Sequence, residues 1–524
     1  MTADIRETLW DVIVIGAGMG GGMAGRRLAE RGLKVLFVEK GPQGYRAEHQ
    51  GIDPEMGDPV ARLLRGYWPG PIRARIDGRD SEFFGPIGAG VGGSSVFYAA
   101  TLERPERHDI EAIEGRPHPT GGWPVGYDAM RDWYAEAEQL LHVCGQADPL
   151  SPEACTLEPP PPLSGVDAAL MRSLRGAGLH PYRSHSAIRY LDGCHDCLGT
   201  KCPRPCKMDG RSAGVEPALA TGRAALLDRC DVRRLCGTAD HVSHIEVARG
   251  GEVFDLRARQ FVLAGGALGS PRLLLASASE AWPEGCANHS GLVGRNLMFH
   301  LNEVFALWPQ QTAPDDGPSK AISLRDFYHW QGQRFGTVQA MGLKAGYGEI
   351  VHVLGGMFDR SMLRHMRALR HVTRLPAAVA ARVLGRAQVF VGLLEDLGYP
   401  ENRVTWDASA PDAIDITYTL HPELLARRRA FRRAIRAGLR GHRSLFLTHA
   451  PELNFGHPCG TLRMGLDPAT SVLDADCRAH GIGNLHVADA SFMPTSMGVN
   501  PSLTIAANAL RVAEGIARRR EAGE

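Results

Sequence analysis

A glycine-rich turn near the N-terminus constrains the fold of this chain more than any other segment. A β-branched run over 11–15 ends in Gly16-Ala17-Gly18-Met19-Gly20-Gly21, and residues 23–33 then have helical spacing. A second apolar run over 34–38 ends in Glu39. A strand, a glycine turn, a helix and a second strand with an acid about 20 residues beyond the glycines are typical of a dinucleotide-binding βαβ unit. We therefore predict such a unit at the start of the chain.

Each part of this motif has a predicted task. Gly16 permits the tight turn, Gly18 lets the backbone approach a pyrophosphate, and Gly21 lets the helix pack closely on the strand. The helix N-terminus offers free N–H groups to the phosphate. Glu39 is expected to accept hydrogen bonds from a ribose 2′-OH. The motif by itself does not distinguish FAD from NAD.

The composition is that of a globular enzyme with more than one domain. The chain has 524 residues, of which 44% are hydrophobic and 22% charged, and this length suggests two or three domains. The formal net charge of +1 argues against nucleic acid as a partner. Because no apolar run is long enough for a membrane span, and the N-terminus carries Asp4, Glu7 and Asp11 where a signal peptide would be basic and then apolar, we expect a cytoplasmic protein.

Further segments rich in small residues are spread over most of the chain. They are GVGGSS at 90–95, FVLAGGALGSPRLLLAS at 261–277, GLVGRNLMFH at 291–300, HPCGTLRMG at 457–465 and LHVADASFMPTSMGVNPSLTIAANAL at 485–510. This ordered set resembles the glucose-methanol-choline (GMC) family of FAD-dependent oxidoreductases. The resemblance indicates that the dinucleotide is FAD.

The resemblance implies an α/β chain that leaves the Rossmann-like unit and returns to it. A discontinuous FAD-binding domain is then expected over 1–110, 207–300 and 451–524. A substrate-binding α+β domain with an antiparallel sheet is expected over 111–206 and 301–450. The second domain includes a cysteine-rich loop at 194–206.

The resemblance also implies where FAD contacts the chain. The expected contacts beyond the first motif are Gly92, Gly93, Ser94, Tyr98, Val232, Ala264, Gly265, Asp489, Ala490, Asn500, Pro501 and Thr504. The first three lie along the pyrophosphate and flavin, and Asp489 with Ala490 approaches the pyrophosphate and ribityl chain. Many family members have an asparagine where this chain has Tyr98, so we expect a differently lined flavin pocket. No histidine in this stretch suggests a covalent link, and we expect non-covalent FAD.

Two polar residues near the C-terminus indicate the reaction. Oxidation of an alcohol by a flavin requires removal of the hydroxyl proton and transfer of the α-hydrogen as hydride to flavin N5. His457 stands at the position of the family's base, and a neutral imidazole accepts a proton at working pH. Asn500 cannot titrate and is expected to donate to the alkoxide as it forms. We expect oxidation of a primary or secondary alcohol, such as a sugar or polyol, to a carbonyl, and favour a dehydrogenase over an oxidase.

Two other functions fit the same fold. A flavin-bound lyase would turn over without an electron acceptor, and an electron-transfer flavoprotein would have no small substrate of its own. His457 and Asn500 argue against the electron carrier, because it needs no proton acceptor at its flavin. The sequence leaves open which alcohol is oxidised and whether oxygen, a quinone or a redox protein reoxidises the flavin.

Four cysteines crowd into one loop rich in glycine and proline. Cys194, Cys197, Cys202 and Cys206 have the spacing Cx2Cx4Cx3C, which differs from the ferredoxin patterns but is compatible with iron–sulfur or zinc ligands. Some membrane-linked dehydrogenases of the GMC family carry an iron–sulfur cluster on a similar loop. That similarity implies Cys197, Cys202 and Cys206 as ligands. Buried free thiols and one local disulfide are the alternatives.

Residues 360–443 are strongly basic, with 16 arginines against 7 acidic side chains. Arginines at 360, 364, 367, 370 and 374 recur at helical spacing, and a second run holds eight arginines over 427–443. Such a segment is compatible with peripheral association with an anionic membrane, with an acidic redox partner, or with a solvated helix face.

Overall fold

A computed structural model of the chain describes residues 5–523 except 312, 316, 319, 345–349, 352–357, 359–365 and 367–370. The α-helices are α1 (Met19–Glu30), α2 (Pro59–Leu64), α3 (Arg107–Ile110), α4 (Tyr127–Leu140), α5 (Gly165–Gly176), α6 (Glu216–Ala220), α7 (Gly266–Ala276), α8 (Arg374–Leu384), α9 (Pro422–Gly438) and α10 (Ser502–Glu521). The strands are β1 (Leu9–Ile15), β2 (Val35–Val38), β3 (Ile72–Ile76), β4 (Arg79–Phe83), β5 (Tyr182–Arg183), β6 (Ala224–Leu227), β7 (Asp231–Thr238), β8 (His241–Arg249), β9 (Glu252–Leu263), β10 (Leu301–Leu307), β11 (Ile322–Leu324), β12 (His329–Trp330), β13 (Gln333–Arg334), β14 (Val338–Lys344), β15 (Gln388–Leu394), β16 (Arg403–Thr405), β17 (Ile414–Tyr418), β18 (Ser444–Phe446) and β19 (Leu485–Val487).

The predicted βαβ unit forms the centre of a seven-stranded sheet. β1 and β2 pair in parallel with Val12 opposite Val35, and α1 connects them. The strand order is β6-β2-β1-β9-β8-β7, and β19 lies beside the C-terminal part of β9. The parallel strands β6 and β19 come from distant parts of the chain. The sheet is therefore the Rossmann-like, repeatedly interrupted unit that the sequence predicts.

Glycines let α1 lie directly against the strand ends. A Cβ on Gly21 would lie 2.0 Å from the carbonyl oxygen of Gly16, and one on Gly20 would lie 1.8 Å from that of Ala488. Gly16 has a φ of 99°, in the region where side chains are strained. Any larger residue at these positions would push the helix away from the sheet.

A six-stranded antiparallel sheet has the order β18-β10-β15-β14-β11-β5. One of its faces packs on α9, where Phe305 and Phe390 of the sheet meet Phe431 and Ile435 of the helix in one buried cluster. Its presence confirms the predicted fold class, a Rossmann-like sheet with a second, antiparallel one.

A four-stranded sheet crosses the predicted domain boundaries. Its order is β16-β17-β3-β4, and β17 pairs in parallel with β3. Residues 72–83 were assigned to the FAD-binding part, whereas 403–418 were assigned to the substrate-binding part. The two parts are thus joined by backbone hydrogen bonds, and the domain limits stay a prediction.

The basic stretch is only partly described. Most of the predicted arginine helix at 360–374 lies outside the described residues, and α8 begins at its last arginine. In the second run, Arg428 and Arg432 form ion pairs with the buried Glu303. These two arginines therefore stabilise the protein interior and are not available to a partner. Among the helices of the described ranges, none is long and apolar enough to cross a membrane.

Candidate active site

A cavity of about 700 Å³ runs from the glycine turn to His457. Its size suits a large ligand, since small-molecule sites span about 300–1,000 Å³. The predicted site residues on its wall are Gly16, Gly18, Glu39, Gly93, Ser94, Tyr98, Val232, Ala264, Gly265, His457, Asp489, Ala490, Asn500 and Pro501. The structure thus brings together residues from both ends of the chain.

Three predicted contact residues lie behind this wall. Gly21 packs against Gly16, as described above. The N–H of Gly92 donates to the carbonyl of Ala17 at 2.7 Å, which joins the two glycine turns. Thr504 is buried on α10 with its hydroxyl 3.1 Å from the Tyr134 hydroxyl. These three residues shape the cavity through their neighbours.

One end of the cavity is built to receive an anion. Helix α1 has Gly18 at its N-cap, without a side-chain hydrogen bond to its first N–H groups, and its first turn holds no acid. A Cβ on Gly93 would lie 2.9 Å from the Cα of Gly18, so the second turn closes over the first. Free N–H groups at a helix N-terminus beside bare backbone favour a phosphate group.

Two carboxylates organise the turns at this end. Glu39 accepts hydrogen bonds from the N–H groups of Ala17 (2.8 Å) and Gly41 (3.0 Å). Asp489 accepts from the N–H of Gly266 (2.8 Å), at the start of α7, and from the hydroxyl of Ser270. Burial raises the pKa of both carboxyl groups, and these hydrogen bonds act in the opposite direction. Each side chain therefore holds backbone in place at the cavity wall.

Tyr98 contributes its ring to the wall. Its hydroxyl donates to the carbonyl of Met208, and burial raises its pKa well above 10. The buried ammonium of Lys207 donates to the carbonyls of Tyr98 (3.2 Å) and Val96 (2.9 Å) on one side and to that of Cys197 (3.0 Å) on the other. The cysteine-rich loop is thereby fixed against the cavity, where Leu198 and Gly199 join the lining.

His457 is held by a second histidine that sequence motifs did not reveal. The Nδ1 atoms of His457 and His300 lie 3.1 Å apart, and Nε2 of His300 lies 3.0 Å from the carbonyl oxygen of Met497. A carbonyl only accepts, so His300 carries its proton on Nε2 and its Nδ1 is an acceptor. Nδ1 of His457 therefore faces an acceptor on His300 and, 3.2 Å away on Asn454, the amide donor Nδ2. In the tautomer that donates from Nδ1 to His300, Nε2 of His457 is left with a free lone pair.

The surroundings keep both imidazoles neutral. Burial lowers the pKa of His300 to about 4. Burial, together with His300 and Lys320, holds the pKa of His457 well below 6.5. His457 is therefore ready to accept a proton at neutral pH.

Asn500 lines the same cavity as His457. The residue is 8% exposed, and its Oδ1 has no hydrogen-bond partner within the described chain. Leaving a buried polar atom unpaired costs about 1–3 kcal/mol. A polar ligand in the cavity would compensate for that cost.

The four cysteines of the 194–206 loop are free thiols. Cys194 hydrogen-bonds to Cys206, and Cys197 to Cys202. In the ranges that the structure describes, no group of three or more His, Cys, Asp or Glu side chains is arranged to hold a metal ion. The structure therefore gives no support to Cys197, Cys202 and Cys206 as cluster ligands.

Sequence reasoning missed several polar residues around His457. Its local partner Asn454, three residues earlier, has Nδ2 3.2 Å from Nδ1 of His457. Asn302, Lys320 and Gln339 also line the cavity. They come from the middle of the chain, where no motif marks them, and only the pairing of the strands brings them to the site.

Comparisons with known proteins find related sequences and structures. Two family models described as GMC oxidoreductase match residues 11–302 and 399–509. The chain is 31% identical to 6'''-hydroxyparomomycin C oxidase of Streptomyces lividus, covering 98% of this chain and 92% of that protein. It is 26% identical to 2-methyl-1,2-propanediol dehydrogenase of Mycolicibacterium austroafricanum, covering 99% and 97%. A structure of formate oxidase from Aspergillus oryzae, solved to study FAD modification, is similar with a TM-score of 0.67 at 15% identity, covering 99% of each chain.

The protonation state of His457 is directly testable. In protein with ¹⁵N-labelled histidine, the signals lost in His457→Gln should be those of a neutral imidazole protonated on Nδ1 at pH 6.5, because its pKa lies well below that value. His300→Ala removes the acceptor and should populate the Nε2–H tautomer. An imidazolium at pH 6.5, or an unchanged tautomer in His300→Ala, would contradict the arrangement.

Proposed function

Because the chain belongs to the GMC oxidoreductase family, whose members are FAD-dependent enzymes acting on CH–OH groups, we propose that it oxidises a primary or secondary alcohol with His457 as the base. The observation that carries this proposal is the His457–His300–Met497 chain, which brings His457 to the wall of the same cavity as the glycine turns. In the tautomer that donates to His300, the Nε2 of His457 is unprotonated.

The residues of the cavity fit FAD bound without a covalent link. The uncapped start of α1 and the turn at Gly93 would hold the pyrophosphate, and Glu39 would meet the ribose. The ring of Tyr98 and the backbone at Ala490 would border the flavin. When bound there, FAD supplies the acceptor for the hydride at N5.

The protein itself handles the proton. Nε2 of His457 accepts the hydroxyl proton, and the amide of Asn500 donates to the substrate oxygen while negative charge develops on it. The carbinol C–H bond breaks with its electron pair, and the C–O bond becomes a carbonyl. The alcohol would thus lose one proton to His457 and one hydride to the acceptor that bound FAD would supply.

Two alternative functions give different outcomes in one experiment. A lyase of this fold would convert its substrate without bleaching the FAD absorbance and without an electron acceptor. An electron-transfer partner would be reduced by a protein donor and by no alcohol. The neutral base at His457 argues against the electron-transfer partner, because transfer of electrons between proteins requires no proton acceptor beside the flavin.

The test is anaerobic mixing with sugars, polyols and simple alcohols. We expect at least one of them to bleach the FAD absorbance with formation of one carbonyl per FAD. His457→Ala should slow bleaching by about 10²- to 10⁴-fold at unchanged FAD content, and Asn500→Ala should slow it less. The exposed His289 gives a matched control, His289→Ala, which should react as the wild type. Bleaching at the wild-type rate in His457→Ala would refute the assigned base.

No step of the proposed reaction depends on an iron–sulfur cluster at Cys197, Cys202 and Cys206. The four cysteines pack in one cluster as free thiols, with hydrogen bonds from Cys194 to Cys206 and from Cys197 to Cys202. Protein purified without air should therefore contain no stoichiometric iron. Three or four irons per chain, as in a cluster of about that size, would contradict this expectation and would favour a dehydrogenase.

Association of residues 360–443 with an anionic membrane or an acidic redox partner also stays a prediction. Helix α8 exposes 70% of Leu375 and 65% of Val379 beside Arg374 and Arg382. Apolar side chains flanked by arginines favour a membrane surface. Cosedimentation of the protein with anionic vesicles tests this membrane association. If the same amount of protein sediments with neutral vesicles, a role for the arginines is excluded.

A further inference from the structure

The far wall of the cavity is one face of the six-stranded sheet. Gln339 and Met341 alternate along β14, and Val391 and Leu393 alternate along β15. Gln339 pairs with Val391, and Asn302 of β10 pairs with Leu393. Side chains two residues apart share one face of a strand. These residues therefore form a continuous part of the cavity wall.

The alternate residues of the same strands point the other way. Val338 and Ala340 of β14, with Phe390 and Leu394 of β15, belong to the buried cluster that contains α9. The sheet has an apolar core on one face and the cavity on the other. Polar side chains on the cavity face are therefore not needed for the packing of the core.

Gln339 lacks a partner for its side-chain oxygen. The residue is 2% exposed, and its Oε1 has no hydrogen-bond partner in the described ranges. A buried amide oxygen without a partner costs about 1–3 kcal/mol, as for Asn500. A hydroxyl group on a ligand would donate to it.

Lys320, two residues before β11, brings a positive charge to this wall. The acidic residues on the described cavity lining are Glu39, Asp231 and Asp489, and each lies at or just beyond an end of a strand of the seven-stranded sheet. None of them comes from the six-stranded sheet. The charge of Glu103 raises the pKa of Lys320, and the charge of Lys320 lowers the pKa of His457.

We propose that Lys320 and Gln339 form a substrate-binding site for an oxygen substituent, a carboxylate or a second hydroxyl, carried beside the reacting alcohol. This inference rests on the proposed function and specifies its substrate class. A carboxylate would form a charge-assisted hydrogen bond with the ammonium. A hydroxyl would accept from Lys320 and donate to Gln339. A cationic amine at the same position would be repelled by the ammonium, so amino alcohols are poor substrates.

Three probes with one carbon skeleton separate these cases: glycerate, glycerol and 3-amino-1,2-propanediol. We expect the wild type to react with the first two at lower KM than with the amine. Lys320→Met should raise the KM for glycerate about 10- to 100-fold, the loss expected for a hydrogen bond to a charged group. The effect on glycerol should be smaller, and the amine should bind better. In each case kcat should change less than KM.

The pH dependence gives a second readout. Burial lowers the pKa of Lys320 to about 8, with Glu103 acting in the opposite direction. The ammonium is therefore lost as the pH rises through that value, and the KM for glycerate should rise with it. In Lys320→Arg the charge persists and the KM should stay low. Glycerol should show no comparable change.

The controls separate failure of this inference from failure of the proposed function. Lys34→Met removes an exposed lysine away from the cavity and should leave all three KM values unchanged. Binding of unreactive propanoate, followed by its effect on the FAD spectrum, reports affinity without turnover and should weaken in Lys320→Met. Gln339→Met provides a second variant, expected to raise the KM for glycerol, if Lys320→Met fails to fold.

Two results would overturn the inference. Equal loss of kcat with all three probes, with the acid limb of the pH profile shifted, would show that Lys320 acts only on the protonation of His457. Unchanged KM values in Lys320→Met and Gln339→Met would show that this wall does not contact substrate. In both cases the wild type still oxidises alcohols, whereas failure of the proposed function would leave it unreactive with every alcohol.

Discussion

The close packing of α1 against the ends of β1, β9 and β19 is the contact on which the rest of the structure depends. Glycine is required there because a Cβ on Gly20 or Gly21 would overlap a backbone carbonyl. The contact places the uncapped start of α1 at the cavity and fixes the backbone after β19. From there the N–H of Gly460 donates to the carbonyl of Ala490 at 3.1 Å. Cys459 in turn pairs with Met298, and these links bring His457 and His300 together.

The chemistry of the site depends on neutral groups more than on charges. The carbonyl of Met497 sets the tautomer of His300, whose Nδ1 then offers an acceptor to Nδ1 of His457. No carboxylate takes part in this chain of hydrogen bonds. Burial then has a useful effect, because it keeps both imidazoles unprotonated where an adjacent acid would raise their pKa.

Local motifs were sufficient to predict the fold class and the family, and most of the site residues that they predict line the cavity. They succeeded where a single backbone feature, such as the turn at Gly16, requires a particular residue. They could not reveal the role of His300, because its partner His457 lies 157 residues away and neither flanking sequence indicates that the two side chains are in contact. Lys320 and Gln339 could not be predicted either, because the pairing of the strands decides which residues face the cavity. Within the arginine run at 427–443, the charge count alone could not show that Arg428 and Arg432 are paired with the buried Glu303.

A crystal structure of the protein with FAD and an unreactive analogue of its alcohol tests most directly whether one cavity holds both the cofactor and the base. We expect the isoalloxazine ring against Tyr98 and Ala490, with the analogue oxygen about 2.6–3.2 Å from Nε2 of His457 and within reach of the Asn500 amide. An isoalloxazine ring bound away from His457, or an analogue oxygen that contacts neither side chain, would contradict it.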